Sequence, residues 1–158
     1  MLQKFPITPD GYKKMQEELG RLLKIERPKN IREIEEARAH GDLSENAEYD
    51  AAKARQSFLE GRIIELKQKV ALAQVIDPST INQSRAAFGA TVKVLDTGAD
   101  EQYVFTLVGV EEADAKQGRI SISSPVGRAL LGKEAGDTVT IKAPARTIEY
   151  EIIEVSFV

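Results

Sequence analysis

Residues 52–73, AKARQSFLEGRIIELKQKVALA, repeat their apolar side chains at alternating steps of four and three. The stripe consists of Ala52, Gln56, Leu59, Ile63, Leu66, Val70 and Ala73, with the glutamine as its one polar member. An average spacing of 3.5 residues is typical of a coiled-coil seam. Because so narrow a stripe covers a single neighbouring helix, this segment predicts a helix paired with a second helix.

The second helix is predicted upstream in the chain. The same spacing joins Tyr12, Met15, Leu19 and Leu22. Thr8 followed by Pro9 predicts an N-cap with proline at the first helical position. Pro28 lies inside this run and should kink it, because proline lacks an N–H and crowds a preceding carbonyl. Beyond it the seam is predicted to resume at Ile31, Ile34 and Ala37. Gly41 is placed to end the helix in a left-handed conformation.

The connection between the two helical runs is short. After Gly41, three residues (42–44) precede the restart of the helical pattern, which continues to about residue 74. So short a turn forces the two helices to run antiparallel. At a rise of about 1.5 Å per residue, arms of about 30 residues would extend roughly 45–50 Å. Residues 1–76 are therefore predicted to form a coiled-coil hairpin with an acidic tip at 42–45.

Residues 76–80, IDPST, break the helical pattern, and the apolar period changes to two beyond them. Strands are predicted around 88–94, 103–107, 119–123, 138–142 and 147–155, with one short helix at 126–131. The predicted fold class is α+β. It consists of the N-terminal antiparallel hairpin and a mainly antiparallel β domain with one short helix over residues 77–158.

Composition limits the classes of function. The 158 residues contain no cysteine, no tryptophan and one histidine, His40, and the net charge is −3. These counts disfavour a disulfide framework, a thiolate metal site, most catalytic triads and binding to nucleic acid by bulk charge. No apolar run approaches the roughly 20 residues that cross a bilayer, so a cytoplasmic protein without membrane contact is expected. A self-contained enzyme is disfavoured.

The predicted tip has two interpretations. Asp42 and Glu45 have the spacing of a capping box, and Ser44 could be the N-cap instead. Alternatively, the hairpin carries two carboxylates to its exposed end. Oxygen ligands of this kind suit Mg²⁺. Two carboxylates make a poor site alone, so a second macromolecule would have to supply the remaining ligands.

Residues 36–49, EARAHGDLSENAEY, resemble the tip motif of the Gre family of bacterial transcript-cleavage factors, which act in transcription elongation. The resemblance continues at 88–92 (FGATV), 124–128 (SPVGR) and 130–133 (LLGK), and it covers nearly the whole chain. Within the family the sequence is most similar to the GreA branch.

The resemblance implies a C-terminal domain similar to FKBP-type prolyl isomerases, which binds RNA polymerase at the rim of its secondary channel. The coiled coil would enter the channel and bring Asp42 and Glu45 to the polymerase active centre. There they would help to hold a second Mg²⁺ shared with the polymerase, and the free protein would bind none. The polymerase itself would cleave the backtracked nascent RNA, so this chain would not be an enzyme. A monomer is expected.

Arg38, Lys53 and Arg55 lie near the predicted tip. They form either a solvated charged face or, by resemblance to the family, a thin basic patch that contacts the 3′ segment of the nascent RNA. His40 is expected near the C-terminal end of the first arm, without a role in proton transfer.

Three other functions remain open from the residues. A non-cleaving inhibitor of polymerase would share the architecture but differ at the tip. A prolyl isomerase with a coiled-coil arm would need an aromatic pocket, which few rings are present to build. A structural adaptor would leave the acidic tip without a function.

Overall fold

The computed structural model describes residues 3–42 and 46–158 of the chain. The helices are α1 (Pro9–Arg21), α2 (Arg27–Arg38), α3 (Ala47–Leu72) and α4 (Pro125–Leu130), with a π-helical segment at Leu22–Glu26 between the first two. The strands are β1 (Phe5–Ile7), β2 (Ala73–Val75), β3 (Ala90–Asp96), β4 (Glu101–Val108), β5 (Arg119–Ser121), β6 (Thr138–Lys142) and β7 (Thr147–Phe157). No helix among these residues combines the length and apolar character needed to cross a membrane.

The chain divides into two compact units. One unit is Tyr12–Ala73, and the other joins Gln3–Gly11 to Gln74–Val158. The predicted boundary after residue 76 assigned the N-terminal segment to the hairpin, whereas here it belongs to the second unit. The reason is local, because β1 pairs with β2 in a two-stranded sheet.

The first unit is an antiparallel helical hairpin, as the sequence predicted. As residue numbers increase along the first arm, the numbers of the residues that they contact on α3 decrease, which shows that the arms are antiparallel. Glu18 bonds to Arg62, Glu26 to Arg55, and Asn30 to the carbonyl of Ala52. The predicted seam of α3 is confirmed at Ala52, Leu59, Ile63 and Leu66, all of which are buried.

The predicted start of α1 is also confirmed. The Thr8 hydroxyl accepts a hydrogen bond from the Gly11 N–H at 3.1 Å, as an N-cap does. The same hydroxyl donates to the carboxylate of Glu112, which also accepts the Thr8 N–H at 3.0 Å. Glu112 is 9% exposed. A buried carboxylate therefore holds the residue that begins the helix.

The first arm departs from a regular α-helix close to Pro28, where the sequence predicts a kink. It widens into the π-helical segment at Leu22–Glu26, which ends two residues before the proline. The Arg27 N–H donates to the carbonyl of Leu22, five residues back. A π-segment of this kind accommodates one additional residue within an otherwise α-helical arm.

One predicted seam position on α2 is wrong. Ile31 is 46% exposed, and Asn30 is buried in its place at 2% exposure, whereas the predicted Ile34 and Ala37 are buried. On α3 the buried residues Ala52 and Leu59 are seven apart, whereas the buried residues Leu22 and Asn30 on the opposite arm are eight apart. The π-segment accommodates the extra residue, so the buried stripe continues one position later than a heptad count from Leu22 predicts.

Two bidentate ion pairs join the arms of the hairpin. Arg62 binds Glu18 at 2.8 and 2.9 Å, and Arg27 binds Glu60 at 2.8 and 2.7 Å. In each pair, the hydrogen bond to the glutamate raises the pKa of the guanidinium above its usual value. Bidentate geometry makes such pairs stronger than ordinary surface ion pairs, which contribute about 0–1 kcal/mol each.

The second unit contains a five-stranded sheet in the order β5-β4-β3-β7-β6. Its neighbouring strands are antiparallel except β4 and β5, which confirms the predicted mainly antiparallel domain. Within residues 74–158, all of which the structure describes, α4 is the single α-helix. The core consists largely of aliphatic side chains, including Val92, Val94, Leu107, Leu130 and Ile152.

Three aromatic side chains of this unit pack together. Tyr103 stacks on Phe105 with ring centroids 6.0 Å apart, and Tyr150 lies 5.8 Å from Phe105. Burial raises the pKa of the Tyr150 hydroxyl. Tyr150 belongs to the core and Phe105 packs against it, whereas Tyr103 is 36% exposed.

Candidate functional site

The connection at the end of the hairpin starts where α2 stops. His40 donates its backbone N–H to the Ala37 carbonyl at 3.2 Å, and Gly41 donates to Arg38 at 3.2 Å. These shorter bonds end the helix. Gly41 has a φ of +98°, which glycine adopts without steric cost. The predicted left-handed end of the first arm is thus confirmed, and the chain turns there towards Asp42.

The helix α3 takes its cap from Asn46. The Asn46 Oδ1 accepts the Tyr49 N–H at 3.1 Å, so Asn46 is the N-cap and the helix begins at Ala47. The proposed capping box of Asp42 and Glu45, and the alternative N-cap at Ser44, are therefore wrong. Asp42 is therefore not the residue that caps α3.

Asp42 is an exposed residue of the turn. It lines a shallow open cleft of about 390 Å³ together with Asn46 and a close pair formed by His40 and Glu48. In that pair, His40 Nδ1 lies 3.3 Å from a carboxylate oxygen of Glu48. Glu45, the second predicted acidic residue, lies outside the described residues.

The acidic and histidine side chains do not form a metal site by themselves. Across residues 3–42 and 46–158, no three of them are grouped so that they could hold a metal ion. Asp42 offers carboxylate oxygens of the kind that Mg²⁺ prefers.

The three basic residues predicted near the tip lie on different parts of the hairpin. Arg38 is exposed in the last turn of α2. On α3, Lys53 donates to Gln56 at 2.8 Å, and Arg55 binds Glu26 on the other arm at 2.7 Å. Residues two apart on an α-helix point about 200° away from each other. Lys53 and Arg55 therefore face different sides of α3.

The surroundings of Arg55 are acidic. It lines a cleft of about 380 Å³ with three glutamates, at positions 33, 36 and 48. A phosphate that approached Arg55 from this side would meet negative charge, since like charges repel over short distances. Arg38 and Lys53 are not among the residues that line this cleft.

Sequence analysis missed Asn46, although one signal was available. Asparagine is among the best N-cap residues, and the helical run begins directly after it. What the sequence does not reveal is its second contact, in which the Asn46 Nδ2 donates to the Ala37 carbonyl on the opposite arm at 2.7 Å.

Both units match known families. Residues 5–75 match the family model described as transcription elongation factor, N-terminal, and residues 81–157 match transcription elongation factor, GreA/GreB, C-terminal. A transcription elongation factor GreA of Thermodesulfovibrio yellowstonii is 63% identical over 157 residues, and one of Brucella anthropi is 54% identical. Each alignment covers 99% of this chain and 99% or 100% of the relative.

Solved structures of the same group are more distant. A GreA/GreB factor of Nitrosomonas europaea is 24% identical, covering 98% of this chain and 100% of its own, with a TM-score of 0.43. GreA factor homolog 1 of Thermus thermophilus is also 24% identical, covering 97% of this chain and 99% of its own, with a TM-score of 0.44.

The two family models together account for most of the chain and describe one class, the transcription elongation factors. The chain belongs to the GreA/GreB family of transcription elongation factors.

Proposed function

We propose that this protein binds RNA polymerase and places its hairpin in the secondary channel. There it stimulates the polymerase to cleave backtracked nascent RNA and so rescues arrested elongation complexes. The observation that supports this most is the exposed Asp42 in the turn of an antiparallel hairpin. Because Asn46 caps α3, Asp42 is not needed as the cap of that helix.

Asp42 and Glu45 would be the working residues of the turn. Each carboxylate would give oxygen ligands to a second Mg²⁺ in the polymerase active centre. When two metal ions are bound about 3.5–4 Å apart, they stabilise the attacking and leaving oxygens of an in-line displacement. Since the described residues of this chain hold no group that could bind a metal alone, the polymerase would supply the other ligands.

On this proposal the chemistry belongs to the polymerase, and the protein is not an enzyme. The chain has a single histidine and no cysteine, so its own supply of nucleophiles and bases near neutral pH is small. The role of Asp42 is to bind and orient, and the bond is broken by the partner.

Arg38, Lys53 and Arg55 would contact the 3′ segment of the nascent RNA. Arg38 and Lys53 would contribute more to RNA binding than Arg55, because Arg55 is paired with Glu26 and lies among glutamates. Each phosphate contact would add about one to the slope of log affinity against log salt.

The sheet unit would supply the affinity for polymerase. The whole protein would act as a monomer in the cytoplasm. A hairpin that must reach a distant active centre needs an anchor outside the channel. The compact second unit, with its own buried core, suits that purpose.

The test is incubation of the purified chain with a stalled, backtracked elongation complex and Mg²⁺. The proposal expects RNA that is shortened from its 3′ side and can be extended again by the same polymerase. A chain that binds the complex but leaves the RNA intact would be an inhibitor of the kind considered above, and the proposal would be wrong.

A further inference from the structure

Two asparagines of the hairpin make the same unusual contact. Asn30 on α2 donates its Nδ2 to the Ala52 carbonyl of α3 at 3.0 Å. Asn46 at the start of α3 donates its Nδ2 to the Ala37 carbonyl of α2 at 2.7 Å. Each arm thus binds a backbone carbonyl of the other through one amide. A backbone acceptor fixes a position along the helix, which an apolar contact does not.

Asn30 occupies a place where an apolar side chain would be expected. It is 2% exposed and lies on the buried stripe with Ile34 and Ala37. A single polar residue at such a position lowers the stability of a coiled coil but selects one register of the helices. Its neighbour Ile31, an apolar residue of similar reach, is left exposed. At this position the hairpin buries a polar side chain that makes a specific hydrogen bond, and the neighbouring apolar side chain stays exposed.

Asn46 acts closer to the end of the hairpin. Its Oδ1 caps α3 through the Tyr49 N–H, and its Nδ2 reaches the last buried turn of α2 at Ala37. One side chain therefore joins the end of α2 to the start of α3, next to the turn that holds Asp42. Loss of the Nδ2 contact alone would leave the cap in place but free the ends of this turn from each other.

We propose that Asn30 and Asn46 are positioning residues that fix the register of the two arms and thereby the place of Asp42 and Glu45. This inference rests on the proposed function. A slip of one residue moves a helix by about 1.5 Å and turns it by about 100°. A misplacement of about 1 Å at a reacting centre can lower a rate by about a hundredfold.

Asn46 offers matched variants. Asn46→Ser and Asn46→Asp both keep a capping oxygen of similar strength, and both lose the Nδ2 donor. We expect unchanged helix content and polymerase affinity, with cleavage stimulation about 10- to 100-fold lower in both variants. The Mg²⁺ concentration for half-maximal stimulation should rise. Because the serine variant is neutral, agreement between the two excludes the added charge as the cause.

Asn30 provides a test in which stability and activity move in opposite directions. Asn30→Leu should melt at an equal or higher temperature, since an apolar residue suits the seam, yet stimulate cleavage less. A merely structural asparagine would not combine these two effects. Asn30→Ala removes the same donor with less added volume, and it serves if the leucine variant associates or misfolds.

The register can be measured without polymerase. The chain has no cysteine, so spin labels can be placed through Glu35→Cys and Asp50→Cys, at exposed positions on opposite arms. The parent should give one narrow distance distribution, and the Asn30 and Asn46 variants should give broader or shifted ones. Narrow, unshifted distances together with full cleavage in the variants would overturn the inference. If the parent fails to stimulate cleavage, the proposed function is wrong, and the distances still decide whether the asparagines set the register.

Discussion

Asp42 and Asn46 lie four positions apart in the same turn but differ in their structural roles. The Asn46 side chain bonds to both arms, through the Tyr49 N–H and the Ala37 carbonyl. Asp42 is exposed and does not cap α3. The cap of α3 and the described carboxylate of the proposed site are therefore different residues of one short segment.

The two residues should respond differently to truncation. Asn46→Ala is expected to lower the free energy of unfolding by about 1 kcal/mol or more, because it removes an N-cap. Asp42→Ala, an exposed substitution away from the cap, should change it by no more than about 0.5 kcal/mol. Urea unfolding followed by circular dichroism measures both. An aspartate variant that is destabilised as much as the asparagine variant would show that Asp42 holds the turn together.

At the scale of the helices, the π-segment at Leu22–Glu26 determines how the first arm fits the second. The buried residues Leu22 and Asn30 are eight positions apart, whereas the buried residues Ala52 and Leu59 on α3 are seven apart. The π-segment thus accommodates one extra residue in the first arm. Pro28 lies just beyond it but does not by itself create the mismatch in length.

Deletion of Lys24, an exposed residue of the π-segment, should therefore be tolerated. The deletion makes the interval from Leu22 to Asn30 seven residues, so a plain α-helix would keep both on the buried stripe. We expect a melting temperature equal to or above that of the parent. Pro28→Ala is the matched control, which should retain the π-segment because the interval stays at eight. A large loss of stability in the deletion would mean that the segment has another structural role.

At the scale of the whole molecule, the first residues of the chain belong with the C-terminal residues. The Thr8 N–H and hydroxyl both bond to Glu112, which is 9% exposed. A fragment of residues 77–158 would leave this carboxylate without those donors. Loss of such partners costs about 1–3 kcal/mol.

The fragment 77–158 is accordingly expected to fold with reduced stability, to bind polymerase, and to stimulate no cleavage. Thermal unfolding and a binding titration against polymerase measure these properties. Within the fragment, Glu112→Gln should recover part of the lost stability, because it removes a buried charge that has lost its two Thr8 donors and keeps only Arg119, 3.9 Å away. Polymerase affinity that resides entirely in residues 1–76 would contradict this division of labour.

Local patterns predicted much of the fold. Heptad spacing identified the buried residues of α3, and Thr8 and Gly41 were recognised because capping depends on neighbouring residues alone. Alternation of apolar residues located the strands. On α2, Ile34 and Ala37 were predicted correctly, but Asn30 takes the place expected for Ile31, because a search for apolar residues passes over a polar side chain whose partner lies on the other arm.

The candidate site was predicted less completely. Asp42 was identified through the tip motif, whereas the contacts of Asn30 and Asn46 with the opposite arm were not. Both contacts join residues distant in sequence, and any backbone carbonyl could have been the acceptor. Likewise, nothing in the sequence pairs Arg55 with Glu26, and that ion pair changes the expectation for RNA binding.

The proposed function depends most on the tip carboxylates, which would provide oxygen ligands to a Mg²⁺ ion in the polymerase active centre. The most direct measurement is the rate of RNA cleavage in a backtracked complex as a function of Mg²⁺, with the parent chain and with Asp42→Asn. The variant should bind polymerase as the parent does but cleave at least about tenfold more slowly, equivalent to about 1.4 kcal/mol in the barrier. Higher Mg²⁺ should recover part of the rate. An asparagine variant that cleaves as fast as the parent at every Mg²⁺ concentration would contradict the account.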